Sequence, residues 1–250
     1  ILAANEGISV PGGHMAGSVA VAAETIDQAL AQVDAVHAQG ADLVKLMITG
    51  GVMDATERGV PGELKMPPEM VRAVCERAHA LGYTVAAHTE SPEGVRVALE
   101  NGVDSIEHGA KPDEEILRLF HERGAFLCVT LSPALAHDIP IALGNDVGCQ
   151  WIAQYDFWRE LCYFEKYVGV SRSFALHTAT LRNAQLAGID DITGSIEVGK
   201  EADMIVTIGN PLDDLRVLRT VKHVIHRGHF IAKPRVKRKV EVDRELDKFL

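Results

Sequence analysis

Apolar positions along this chain fall into two kinds of run. Short, mostly apolar stretches, DLVKLMI, TVAAH, DSIEH, AFLCVTL and IPIAL, read as strands, and between them lie stretches with apolar residues three and four apart, which read as helices. Ile26, Ala29, Leu30, Val33, Val36 and His37 share one helical face, with Gly40 as the stop. Val71, Val74, Cys75, Ala78 and Leu81 mark a second, opened by Pro67 and Pro68 and closed by Gly82. Ser91, Pro92 and Glu93 begin a short helix that runs through Leu99 to an Asn-Gly stop, and DEEILRLFHERG aligns Ile116, Leu119 and Phe120. Repetition of strand, helix, strand predicts parallel pairing.

Two connections depart from this rhythm. TGGVMDATERGVPGELK is glycine-rich and reads as a long loop. Only SPALAHD, residues 132–138, separates strand FLCVTL from strand IPIAL. Seven residues span at most about 25 Å, whereas a parallel crossover normally needs a dozen or more residues. A helix is therefore expected to be missing there.

Beyond Asp146 the chain becomes aromatic, CQWIAQYDFWRELCYFEKYVGV, and Trp151 and Tyr155 are candidates for lining a substrate pocket, against the alternative of a buried patching helix. SFALHTATLRNAQLAG reads as a further helix. From Gly194 the pattern shortens to strands, GSIEVGKEADMIVTI and VKHVIHRGHFI, the latter turning at Arg227 and Gly228. The charged tail from Lys233 is expected to dock loosely.

Composition narrows the field. The 250 residues are 47% hydrophobic, which suits a large core, and a formal net charge of -10 without a basic stripe outside 234–239 argues against nucleic acid as a partner. No apolar run is long enough for a membrane span, and no leader-like segment opens the chain. Cys75, Cys128, Cys149 and Cys162 show no metal or redox spacing, which predicts reduced thiols and a cytoplasmic protein.

The chemistry stands at the strand ends. Lys45, His88, His108 and Asp146 each close an apolar strand-like run, and three of those runs lead into helix-like segments. Each taken alone has an ordinary explanation, a solvated lysine, a hydrogen-bonded histidine or a turn aspartate. Recurring at equivalent positions, they would converge on one face of a (β/α) barrel, where such folds carry their sites.

The runs GADLVKLMITGG, VAAHTE, GVDSIEHGA, LGNDVG and TATLRNAQLAGIDDITGSIEVGKEADMIV resemble the metal-dependent amidohydrolase superfamily, in particular the branch of Xaa-Pro dipeptidases, acyl-amino-acid carboxypeptidases and imidazolonepropionase-like proteins. The resemblance implies a (β/α)8 TIM-type barrel over residues 1–193, incomplete because its first strands are missing. A small β-sandwich portion at 194–234 and a charged tail at 235–250 would follow it. It further implies one or two divalent ions, zinc being the expected one, and a carbamate on Lys45 that bridges them. His88 and His108 would bind the more buried ion, while Asp146 would hold the other and take a proton from the attacking water. His14, in PGGH, matches a position near the pocket and is a candidate substrate contact.

The implied reaction is hydrolysis of an amide or peptide bond in a small molecule, a dipeptide or N-acyl amino acid. Deamination or cyclic-amide hydrolysis would use the same ligands. A Schiff-base lysine enzyme and a non-catalytic metal-binding fragment are the alternatives, and assembly as a homo-oligomer stays open. The HxH pair usual at the first barrel strand has no counterpart here. The chain opens at ILAANEGISVPGGHM, which resembles the third strand, so truncation is expected, and HRGH at His226–His229 is expected at the surface of the β layer.

Overall fold

The computed structural model describes residues 2–55, 57, 62–129, 139–147 and 151–250. The short connection 132–138, part of the glycine-rich loop and Cys149 lie outside the described residues. Contacts divide the chain into two compact units, Ile1–Ile141 and Ala142–Leu250.

The first unit is built by repetition. Strands β1 (Gly7–Ser9), β2 (Ala20–Ala22), β3 (Val44–Met47), β4 (Val85–Thr89), β5 (Ser105–His108) and β6 (Phe126–Val129) lie in the order β2-β1-β3-β4-β5-β6, and β7 (Ile141–Leu143), which begins at the junction of the units, continues the same sheet. The pairings from β1 to β6 are all parallel, as the strand-helix alternation predicts. β2, only three residues long, carries too little pattern to be seen in the sequence.

Helices α1 (Ile26–Ala38), α2 (Pro68–Ala80), α3 (Pro92–Glu100) and α4 (Glu114–Arg123) fill the connections. Their starts are chemically marked: Thr25, Ser91 and Asp113 each accept a backbone N–H of the first turn, and α2 opens on proline. Their buried faces are the predicted ones, Ala29, Val33 and Val36 on α1, and Val71, Val74, Cys75 and Ala78 on α2.

Strand register sorts the side chains into two rows. Val44, Leu46, Val85, Ala87, Ile106 and Leu127 form one row, all nearly inaccessible to solvent. Gly94 of α3 fixes the direction of that row, because a Cβ there would lie 3.6 Å from Cβ of Thr89, which continues the row of Val85 and Ala87, so this is the helix-covered face. The opposite row carries Lys45, Met47, Ala86, His88, Ser105, Glu107 and Cys128. A purely structural sheet would fill such a row with Val, Ile and Leu. Here it is polar, and Ser105 Oγ donates to Glu107 Oε1 at 3.0 Å.

In the second unit, α5 (Phe157–Tyr163) runs on into a π-turn at Phe164–Val168, and α6 (Arg172–His177) passes through a second π-turn, Thr178–Arg182, into α7 (Asn183–Leu186). Of the stretch expected as strand from Gly194, only β8 (Met204–Thr207) forms one, since Gly194 and Gly199 take φ of 92° and 101° and turn the chain. β9 (Val221–His226) and β10 (His229–Ile231) are the predicted hairpin, with Arg227 and Gly228 both at positive φ. The β portion is a single antiparallel layer, β10-β9-β8, among the described residues. His226 is exposed there and bonds Asp203, as surface placement of HRGH predicts.

The tail does not dock loosely. It forms α8 (Val240–Leu246), whose Asp243 is 5% exposed and accepts from Arg159 of α5 at 3.1 Å. Arg159, 1% exposed, also donates to Asp156 at 3.1 Å and to Asp247 at 2.6 Å, and its guanidinium lies 4.6 Å from the Trp158 ring centroid. The sequence carries no sign of this docking, because the tail's acidic residues find their buried partner more than eighty residues away. Among the described residues no helix is long and apolar enough to cross a membrane.

One consequence is a pH-dependent stability. Burial pushes the Glu160 carboxyl up to about 7. An acid with a raised folded pKa binds its proton more tightly in the native state, so its stabilisation is complete below the unfolded value and is lost as pH rises to about 7. Glu160→Gln is therefore expected to melt at a higher temperature than wild type at pH 8, with the gap closing toward pH 5. Equal midpoints for the two proteins across that range would show that Glu160 is solvated.

Candidate functional site

Three histidines of the first unit, contributed by three different strand ends, pack ring against ring. His14 follows β1, His88 is in β4 and His108 ends β5. The His14 and His88 rings are stacked, 4.1 Å between centroids and 8° between planes, and His88 meets His108 edge-on at 4.8 Å. His88 is 3% exposed, and its Nε2 is 3.4 Å from the Gly50 carbonyl. Burial, followed by the charges of His14, His108 and Lys45, pushes its pKa down to about 3. A histidine held neutral through ordinary pH keeps a lone pair free for a metal. Lys45 is half-buried in the same row as His88, and its charge is among those felt by that ring.

The loop after β3 closes under these rings. Gly51 has no room for a side chain, since a Cβ would stand 2.8 Å from His14 Cε1 and 3.3 Å from His88 Cε1. Three residues on, Asp54 Oδ2 accepts from the Gly51 N–H at 3.1 Å and pairs with His14 Nδ1. Partial burial works against the ionised Asp54, but the bonds from His14 and Gly51 prevail and hold its carboxyl below the usual range. No sequence periodicity marks Asp54, because a loop contact forty residues apart has no local signature.

His108 reaches the cluster by an unusual backbone. Register pairs it with Thr89, in the row that faces the helices, so a regular strand would turn its imidazole away from His88. Instead φ at His108 is 66°, and the Gly109 N–H bonds back to the Glu107 carbonyl at 2.9 Å, a γ-turn centred on the histidine. Such conformations cost roughly 1–3 kcal/mol in non-glycine residues and persist where the surroundings impose them.

Glu90, two residues beyond His88, completes a donor set. The ligand atoms of His88, Glu90 and His108 all lie within 4.8 Å of one another. Two imidazoles and a carboxylate suit a divalent cation such as Zn²⁺, so the residues fit the metal that the fold implies. The sequence does carry a signal for Glu90, the i, i+2 spacing that puts alternate strand residues on one face.

The other predicted residues lie in the second unit. Asp146 follows β7, is solvent-exposed and has φ of 50°. Trp151 is 56% exposed at φ 70°. The Tyr155 hydroxyl accepts from the Lys239 N–H at 2.7 Å, and the Arg238 guanidinium lies 5.3 Å from its ring centroid, so Tyr155 contacts the C-terminal segment.

Comparison with known proteins gives a consistent picture. The sequence pattern of the Amidohydrolase family matches residues 128–231. A solved Bifidobacterium longum protein assigned as a prolidase is 35% identical, with a TM-score of 0.87 over 96% of this chain and 68% of its own. A Xaa-Pro dipeptidase solved with methionine in its active site is 30% identical, with a TM-score of 0.82 over 93% of this chain and 68% of its own. Ochratoxinase of Aspergillus niger is 26% identical over 222 residues, 75% of this chain and 45% of that protein. The chain thus spans less than half the length of this curated relative.

Proposed function

Because the chain belongs to the amidohydrolase superfamily, we propose that it is a metal-dependent hydrolase of an amide or peptide bond, acting on a dipeptide or N-acyl amino acid. The observation that carries this reading is the buried, neutral His88 packed against His108 with an acidic side chain beside both. The substrate class is supported by the prolidase and Xaa-Pro dipeptidase among the similar structures.

Residue roles follow from donor chemistry. His88 and His108 hold one cation through neutral imidazole nitrogens. Lys45, by losing one proton from its ammonium and a second as the free Nζ adds to CO2, becomes a carbamate, which exchanges a positive charge beside His88 for an anionic ligand. A divalent cation, when bound, lowers the pKa of a water to about 7 and polarises the scissile carbonyl. Asp146 accepts the proton and delivers it to the leaving amine. His14 is the substrate contact of the first unit, held in place by Asp54 and the Gly51 backbone, and Trp151 and Tyr155 are the candidate contacts of the second. Burial pushes the Cys75 and Cys162 thiols up to about 12 and about 11, so neither is offered as a nucleophile.

The test is elemental analysis of the purified protein together with hydrolysis of a panel of dipeptides and N-acyl amino acids. Lys45→Ala is expected to lose hydrolysis, and acetate to restore part of it by supplying the missing anion. Borohydride trapping of a carbonyl substrate on Lys45 in metal-free protein would replace this reading with Schiff-base chemistry.

A further inference from the structure

Three histidines, His223, His226 and His229, fall in the β9-β10 hairpin of the second unit, and two of them face each other. His226 ends β9, His229 begins β10, and register pairs them directly across the turn at Arg227 and Gly228. Both are exposed. Directly opposite residues of antiparallel strands share one face, with Cβ atoms about 4.5–5.5 Å apart, and a two-residue turn holds that pairing in register. Two imidazoles so placed bury little and repel one another when protonated, so the pair does little for the hairpin itself. His223 is used differently, since its Nδ1–H donates to the Ala232 carbonyl at 2.8 Å and its ring lies 5.0 Å from that of Phe230.

His226 is also prepared as a donor. Its Nδ1 is 2.9 Å from Asp203 Oδ1, and because a carboxylate only accepts, Nδ1 carries the proton and Nε2 of the neutral ring keeps its lone pair. Asp203 in turn accepts the Arg227 N–H at 2.8 Å and the Thr193 hydroxyl at 3.4 Å, and chiefly the Arg227 bond holds its carboxyl below the usual range. The Arg227 guanidinium, whose charge would oppose a cation here, is drawn to Glu201 at 3.0 Å.

We propose that His226 and His229 form a surface metal site for an imidazole-seeking divalent transition ion, Cu²⁺, Ni²⁺ or Zn²⁺, with Asp203 as the carboxylate behind His226. The site owes nothing to the hydrolase chemistry, and its residues all belong to the second unit. Metal–nitrogen bonds of about 2.0–2.1 Å let two nitrogens up to about 4.2 Å apart share one ion, a span within reach of imidazoles on directly opposite strand positions. An imidazole that donates its other N–H to a carboxylate is held in one tautomer and one orientation and becomes a stronger ligand. Two protein ligands leave the remaining positions to water, so the ion is held less tightly than in a closed structural site, and Cu²⁺ is favoured over Ni²⁺ and Zn²⁺.

The experiment titrates Ni²⁺ into the full chain and its variants by calorimetry near neutral pH. Each protein is first saturated with Zn²⁺ and desalted, so that cations held tightly elsewhere are already in place. Loss of an outer partner of a ligand costs about 10- to 100-fold in affinity, so Asp203→Asn, which can still accept the Arg227 N–H, is expected to weaken nickel binding by that factor. His226→Gln and His229→Gln, each losing a ligand outright, are expected to weaken it by about 100-fold or more. His229→Cys, which restores a donor, should recover much of the loss, and this separates ligation from any disturbance of the hairpin. His223→Gln, on the same hairpin, is expected to bind nickel as wild type does. Wild-type nickel binding in His226→Gln or His229→Gln, or an equal loss in His223→Gln, overturns the proposal.

Discussion

Asp146→Asn is expected to lower turnover by about 10²- to 10⁴-fold, the range for a lost general base, with the cation at His88 and His108 still in place. The substitution suits this position. Asp146 has φ of 50°, and asparagine enters the left-handed region as readily as aspartate, while the residue is exposed and fills no core. A loss therefore reports chemistry and not folding. Steady-state kcat on the best substrate of the panel, paired with retained metal, is the measurement. Wild-type turnover in the variant would leave Asp146 as a turn residue.

Arg159→Met is expected to destabilise the second unit strongly. It leaves Asp156 and Asp243, 4% and 5% exposed, without the guanidinium that bridges them. Removing one partner of a buried ion pair costs about 3–5 kcal/mol, because the remaining charge stays out of water. Arg219 and Arg238, 3.8 and 3.6 Å from Asp243, soften the loss at that carboxylate, so most of the cost falls on Asp156. Urea unfolding should show a lower midpoint, and adding Asp156→Asn should recover part of the difference. A shift smaller than about 1 kcal/mol would mean the network behaves as a surface one does.

Much of the first unit was legible in the sequence because its signals are local. Period-two and period-3.6 patterns, Ser91 at the start of α3 and Gly40 and Gly82 as stops all act within a few residues. His88 could be read as a candidate ligand because a strand end is a definable place. His108 could be read for the same reason, although its route to the cluster, a γ-turn that reverses the strand's alternation, has no counterpart in any pattern of apolar residues. Asp54 beside His14 and α8 around Arg159 were invisible because each depends on a partner forty or more residues away. The strand expected at Gly194 failed for the opposite reason, local glycines overriding a β-branched run.

The γ-turn at His108 sets two demands on one residue against each other. Its backbone strain is built into the fold, and glycine would relieve it at no steric cost. Laboratory evolution toward heat tolerance, scored on melting temperature without metal present, would favour glycine at 108 and discard a ligand of the proposed metal site while appearing to improve the protein. Only a screen that couples survival to metal retention or turnover would keep the histidine.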